Sequence, residues 1–289
     1  MPTRLLLLIL ITICLLGACS KKSEELQEST LNAGKQQTLY GIKYGSHTRN
    51  VLDISLPANR NVNTPVVVLI HGGAWIIGDK SYFMTEIEQF AKAGIACATI
   101  NYRYASDLSN VHHPDLPNDV KTAVDFIASK SEKWQVAPNR FGLCGHSAGG
   151  QLALITAYIL NDGKIKACGS WSGPLDFIDP DQLAITGSHE VFKTYVGTGL
   201  SSTYDTIKYK EGSPYWMVNN TSVPTMLIHG TDDIGVPYSN AVKMKARLDS
   251  LGVKSAFHTF TGSGHIWIGK DLDNARAITL QWFKDKLQE

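Results

Sequence analysis

The sequence predicts an α/β fold with a mostly parallel central sheet, helices on both faces and a small lid-like insertion. Three observations carry this. Short apolar runs alternate with helical stretches at βαβ spacing through the body of the chain. The stretch Gly145-His146-Ser147-Ala148-Gly149-Gly150 joins a short strand to a helix through a sharp turn. Between Trp171 and Pro224 the rhythm breaks for roughly fifty residues without a clear core strand, an excursion of the length expected for a separate helical layer or a lid.

The first residues stand apart from the fold. Arg4 precedes the apolar run Leu5 to Leu16, then Gly17-Ala18-Cys19, the layout of a secretory signal peptide and too short to remain as a spanning helix. Leu16-Gly17-Ala18-Cys19 resembles the bacterial lipoprotein box, which implies cleavage before Cys19 and lipid on its sulfur. Several acyl chains anchor firmly where one is marginal. The polar stretch after it has no apolar period and reads as a flexible tether. The expected organisation is therefore a signal peptide over residues 1–18, a lipid-anchored tether over 19–38, and a folded domain over 39–289 with an insertion at about 178–213.

Within the domain, Leu52, Ile54 and Leu56 alternate with Asp53 and Ser55, giving a half-buried strand that stops at Pro57. The continuous run Val66 to Ile70 reads as a strand covered on both faces. A helix follows from about Tyr82 to Ala93, ended by Gly94, then a strand from Ile95 to Ile100 and a helix from Pro117 through about Ser129. Arg140 to Cys144 is the strand before the sharp turn, and Gln151 to Leu160 the helix after it. Further strands are expected at Ile165–Trp171, Pro224–His229 and Lys254–Phe260, with helices at about Ser239–Leu251 and Leu272–Leu287. Cys97, Cys144 and Cys168 lie inside apolar runs and read as small buried hydrophobes, and no structural disulfide is expected.

Composition narrows the function classes. With 289 residues, 43% of them hydrophobic, and a net charge of +1, the chain can bury a sizeable core and lacks the basic surface that general nucleic-acid binding needs. The chemistry gathers at loops that follow strands, where open α/β sheets place their sites. Glycines at Gly145 and Gly149 keep side chains away where strand and helix meet, and Ser147 between them would present its hydroxyl at a helix N-terminus, which favours developing negative charge. The loop His71-Gly72-Gly73-Ala74-Trp75 after the strand Val66 to Ile70 lets backbone N–H groups approach an oxyanion, and Ala148 would add a second donor position. A serine nucleophile needs a base, and the base a carboxylate. His146 adjoins Ser147 and should point elsewhere, His47 and His189 sit in polar loops, and His258 alternates within a strand. The pair His112-His113 lacks the further ligands a metal requires. His265, in the flexible loop Gly262-Ser263-Gly264-His265, is the expected base. Asp232 and Asp233, after the strand Pro224 to His229, compete for the orienting role, and spacing does not separate them.

Taken together, His71-Gly72-Gly73-Ala74-Trp75 with Gly78-Asp79-Lys80, Asn101-Tyr102-Arg103, Gly145 to Gly150, His229-Gly230 with Asp233 and Val236-Pro237, and Gly264-His265 resemble the α/β-hydrolase esterases over about Leu39 to Leu287. The branch they look most like holds the hormone-sensitive-lipase-like and bacterial feruloyl-esterase-like enzymes. The resemblance implies the α/β-hydrolase fold, with Ser147 as nucleophile, His265 as base, Asp233 as the orienting acid, and Gly73, Ala74 and Ala148 as oxyanion donors. Ala74 replaces a third glycine frequent in the lipase-like branch, a change that leaves the backbone donor in place. The resemblance implies a carboxylic-ester hydrolase, and with the lipoprotein box at Cys19 the expectation is an exported, membrane-anchored one; no cofactor or metal is expected. The expected substrates are short-chain or aromatic acyl esters, such as acetylated or feruloylated oligosaccharides, with Trp75 narrowing the acyl pocket. Two alternatives stand beside it. One is an arylformamidase-like amide hydrolase, since the H-G-G-x-W branch includes enzymes that cleave N-formylkynurenine; the other is a non-catalytic hydrolase-fold binding lipoprotein.

Overall fold

The computed structural model describes residues 27–199 and 205–288. The signal peptide, Cys19, and the tether up to residue 26 lie outside the described residues, as does Tyr204 in the insertion. Eight strands form one sheet: β1 (Gln37–Lys43), β2 (Val51–Leu56), β3 (Val66–Ile70), β4 (Ala96–Ile100), β5 (Phe141–His146), β6 (Ile165–Trp171), β7 (Thr225–Gly230) and β8 (Ser255–Phe260), in the order β1-β2-β4-β3-β5-β6-β7-β8. The first two pairings, β1 with β2 and β2 with β4, are antiparallel, and the rest are parallel. This is the mostly parallel α/β-hydrolase sheet that the sequence led us to expect.

The strand runs explain the layering. Along β3, Val66, Val68 and Ile70 face one core, and Val67 and Leu69 face the other, so an unbroken β-branched run is what two apolar faces require. The first core lies under α2 (Asp115–Ser129), α3 (Ala148–Ile159) and α6 (Tyr238–Ser250), and the second under α1 (Met84–Lys92) and α7 (Gly269–Leu287). Cys97, Cys144 and Cys168 are buried on their strands. Helix α3 is buried almost throughout, which accounts for its nearly continuous apolar sequence.

Two expectations need correction. The strand β2 is not half-buried. Asp53 and Ser55 are as enclosed as Leu52 and Ile54, because the helix Met84–Lys92 packs over their face of β2 and β1, which the sequence reading did not identify, pairs along its outer edge. Asp53 is paired with Lys80 and accepts the Gly41 N–H at 2.7 Å, and Ser55 accepts the Thr38 hydroxyl at 3.1 Å, so both polar groups are satisfied where they are buried. The second correction concerns the tether, expected to run free to residue 38. From Gln27 the chain is docked on the domain. Glu28 is buried, accepting Lys130 Nζ at 3.0 Å and Trp134 Nε1 at 2.9 Å, and pairing with Lys133. The buried Arg60 guanidinium donates to the carbonyls of Asn32 and Lys35 at 3.0 and 2.8 Å. A polar composition conceals this, because the segment is held by charged hydrogen bonds rather than by apolar burial.

The excursion after β6 is a small helical layer. It comprises the turn Pro180–Leu183, α4 (Ser188–Val196), α5 (Thr206–Glu211) and the turn Pro214–Met217. Phe177, Phe192, Tyr195 and Tyr209 bury against one another, with Phe177 and Phe192 stacked at 4.3 Å between ring centroids. Trp75 packs into this cluster, stacked on Tyr195 at 4.5 Å. The layer therefore sits over the loop that follows β3, at the carboxyl ends of the strands.

Candidate active site

Ser147 occupies the turn between β5 and α3 with φ 54° and ψ −123°. A non-glycine residue there costs on the order of 1–3 kcal/mol and persists only where the surroundings hold it. Here the Ser147 N–H donates to the Trp171 carbonyl at 2.7 Å, and the Ser147 carbonyl accepts the N–H groups of Gly150 and Gln151 at 2.9 and 3.1 Å. The crossing is tight. A Cβ added at Gly149 would lie 2.0 Å from the Ile70 carbonyl oxygen, and one at Gly145 2.4 Å from the Gly149 carbonyl oxygen. Only glycine fits either position.

The loop after β8 carries His265 to the serine. Its Nε2 lies 2.8 Å from Ser147 Oγ and its Nδ1 2.8 Å from Asp233 Oδ2. A carboxylate accepts, so Nδ1 carries the proton and Nε2 is left to accept from the serine hydroxyl. Asp233 has a fully buried carboxyl. Its Oδ1 accepts the N–H groups of Gly235 and Val236 at 2.9 and 2.8 Å, and the His229 Nε2–H, bonded to the Val236 carbonyl at 2.9 Å, lies 3.2 Å from Oδ2. Burial alone would raise the pKa of Asp233, but the bonds from His229, His265 and Val236 outweigh it and hold the carboxyl well below the usual range. Asp232 is exposed and accepts the Thr231 hydroxyl at 2.8 Å. The structure thus brings Ser147, His265 and Asp233 together and leaves Asp232 outside.

The loop after β3 faces the serine, since a Cβ added at Gly72 would lie 3.1 Å from Ser147 Cβ. Gly73, Ala74 and Trp75 run consecutively at φ 113°, 49° and 64°. Among the described residues, the N–H groups of Gly73, Ala74 and Ala148 have no protein acceptor. Gly73 is required here, because a Cβ would meet the Ile77 carbonyl oxygen at 2.2 Å.

Sequence reasoning missed what holds this loop. Gln151, fully buried one turn into α3, accepts the Trp75 indole N–H at 2.9 Å and donates to the Tyr195 hydroxyl at 3.0 Å and the Gly212 carbonyl at 2.7 Å. One amide thereby ties the β3 loop, the nucleophile helix and the helical layer. The available signal was a lone amide at the head of an apolar helix. His146 was also passed over. It does point away from Ser147, but its Nε2–H donates to the His265 carbonyl at 2.8 Å, fixing the loop that carries the base. Burial and the neighbouring His265 push its pKa down to about 4, so it stays neutral as a donor. His112 and His113 bond to α4 through the Thr194 carbonyl and the Tyr195 hydroxyl. Among the described residues no group of three or more His, Cys, Asp or Glu side chains could hold a metal ion.

Two cavities open beside Ser147. One, of about 310 Å³, is walled by Trp75, Ala148, Gln182, Ile185, Val191 and Phe192, so the helical layer forms part of its wall. The second, of about 390 Å³, lies toward Ile77, Tyr82 and Ile266. Trp75 lines the first cavity, though most of its ring is core.

The chain is 28% identical to a probable isoprenylcysteine alpha-carbonyl methylesterase of Arabidopsis thaliana, over 78% of this chain and 50% of that one. It is 25% identical to esterase LipC of Mycobacterium tuberculosis, over 81% of this chain and 60% of that one. It spans about half the length of the curated relatives it matches. Among solved structures, a truncated carbohydrate esterase from gut microbiota superposes with a TM-score of 0.72 at 20% identity, covering 90% of this chain and 99% of that one, a likeness of fold. The BD-FAE family model matches residues 52–248, more than half of the chain and all of its sheet from β2 to β7, and the chain belongs to the BD-FAE family.

Proposed function

We propose that the chain is a carboxylesterase-type hydrolase working through a serine acyl-enzyme. The observation that carries this is the unbroken series Ser147 Oγ–His265 Nε2 and His265 Nδ1–Asp233 Oδ2, both at 2.8 Å, beside three unpartnered backbone N–H groups. In the reaction, Ser147 Oγ bonds to the ester carbonyl carbon as its proton passes to His265 Nε2. The carbonyl oxygen becomes an oxyanion that accepts from Gly73, Ala74 and Ala148, donors that need no reorganisation as charge develops. The carbon–alkoxy bond then breaks, His265 returns its proton to the departing oxygen, and the acyl group stays on Ser147. Water repeats the sequence, giving the free acid and restoring the serine. Asp233 stabilises the imidazolium throughout. The same residues would cleave a reactive amide, so a formanilide belongs in the substrate screen.

The first cavity supports short-chain or aromatic acyl groups, because Phe192 and Trp75 wall a space of about 310 Å³. Acetyl and feruloyl are the candidate acyl groups that the family resemblance offers, and the screen sets their carbohydrate esters beside esters of apolar alcohols. Ser147→Ala should remove hydrolysis of nitrophenyl esters, methyl ferulate and acetylated xylan by a factor on the order of 10⁶, with the fold intact. If a tenth of the activity survived, Ser147 would not be the nucleophile. The export reading rests on Leu16-Gly17-Ala18-Cys19. In a bacterial host Cys19→Ser should move the protein from the membrane to the soluble fraction; an intact mass showing an unmodified Cys19 after cleavage elsewhere would refute the anchor.

A further inference from the structure

We infer that the second cavity beside Ser147 is an apolar subsite for the other half of the ester. The enzyme's preferred substrates then carry an apolar, aromatic-sized group on the alcohol side of the ester linkage rather than a bare sugar. This rests on Ser147 being the nucleophile. Both cavities share Ala74, Ser147 and His265, so the tetrahedral intermediate formed there, which still carries both halves of the ester, has one substituent directed into each. The first is walled in part by the helical layer. The second is bounded by loops that the site itself requires. Closing the oxyanion loop, with Gly73 accepting the N–H groups of Ile76 and Ile77 at 3.0 Å, sets Ile77 outside, 64% exposed. The turn that delivers His265 sets Ile266 outside, 67% exposed, and Tyr82 stands 46% exposed with its ring stacked on His146 at 5.5 Å.

Three large apolar side chains left in water around one reactive serine have a use when a ligand covers them. Most polar groups of this wall are already engaged, leaving the exposed Tyr82 hydroxyl and the outer lone pairs of Asp79. Asp79 accepts the Ser81 N–H at 2.9 Å and the Asn101 amide at 2.8 Å, His71 is bonded to the Gly72 carbonyl at 2.7 Å, and His146 to the His265 carbonyl. A polyhydroxylated alcohol would lose water there and find few partners, whereas a flat apolar group would lose nothing.

The test is a matrix of esters measured as kcat/KM. One series holds the acyl group at butyryl and varies the alcohol through methyl, 1-naphthyl and glucosyl; the other holds the alcohol at methyl and varies the acyl group through acetyl, butyryl and feruloyl. Wild type, Ile77→Ser/Ile266→Ser, Tyr82→Ser and Val191→Ser are compared, all at positions exposed or half-buried, with circular dichroism checking the fold. The expected result is that the variants of Ile77, Ile266 and Tyr82 (the shelf variants) lower the naphthyl-to-methyl ratio of the alcohol series about tenfold, the scale of one lost apolar contact of about 60 Å², while Val191→Ser lowers the feruloyl-to-acetyl ratio of the acyl series. A response of the shelf variants in the acyl series alone would overturn the assignment. Unchanged ratios in the shelf variants, equal losses in both series, or a wild-type preference for glucosyl over naphthyl would overturn the subsite while leaving the serine chemistry standing. Hydrolysis surviving in Ser147→Ala would instead overturn the reading beneath it.

Discussion

Replacing Asp233 by Asn is the sharpest test of the site, because the structure dictates how the amide must sit. The Gly235 and Val236 N–H groups, at 2.9 and 2.8 Å from Oδ1, need an acceptor, so the Asn carbonyl oxygen takes that side. The NH₂ group then occupies the place of Oδ2, 2.8 Å from His265 Nδ1. Two donors cannot face each other, so the imidazole gives up its Nδ1 proton and holds one on Nε2, toward Ser147. The base then has no lone pair where the serine proton must go. A carboxylate-to-amide change of this kind costs about 10⁴ in kcat, or about 5.5 kcal/mol of barrier. The NH₂ also meets the His229 N–H, 3.2 Å from the same position, which adds about 1–3 kcal/mol of instability for a donor left without an acceptor. Asp232→Asn should do neither, since Asp232 is exposed and an amide oxygen can still accept the Thr231 hydroxyl; its stability should stay within about 0.5 kcal/mol. Steady-state kcat with 4-nitrophenyl butyrate, beside thermal unfolding of each variant, gives both numbers. An Asp233→Asn enzyme with more than a tenth of wild-type kcat, or a larger loss in Asp232→Asn, would refute the assignment.

Gln151→Leu should leave the Trp75 indole N–H and the Gly212 carbonyl buried without partners, costing about 2–6 kcal/mol. It should also lower kcat about tenfold with little change in KM, because the loosened loop carries the oxyanion donors; a lower Tm with unchanged kcat would show that the bond is only structural. Acid should destabilise the protein earlier than its carboxylates alone would cause. Burial lowers the pKa of His71 and of His146 to about 4, so between pH 6.5 and 4 the unfolded chain binds protons that the folded chain refuses. Stability should therefore fall with pH by up to about 1.4 kcal/mol per unit for each histidine. Asp233, whose folded pKa is depressed, adds its share only below its unfolded value of about 3.9. Urea unfolding at pH 7.5, 6 and 5 measures the slope, and a flat profile would contradict the burial argument.

The order of elements, the parallel core of the sheet, and the positions of Ser147, His265 and the β3 loop were legible in the sequence for local reasons. An apolar run such as Val66 to Ile70 satisfies two apolar faces wherever it lies, and Gly-x-Ser-x-Gly between a strand and a helix marks the turn by its own residues. Asp233 was separated from Asp232 only by a family resemblance, because adjacent residues on one loop differ in which way each side chain turns, and that depends on the Gly235 and Val236 N–H groups. Tertiary structure alone decided the rest. Glu28 meets Lys130 and Trp134 across more than a hundred residues, Asp53 meets Lys80, and Gln151 joins Trp75, Tyr195 and Gly212. Each is a buried polar group whose stability depends on partners far away in the chain. Apolar residues announce burial by their own chemistry, whereas a buried polar residue is tolerated only once the fold has brought its partners to it.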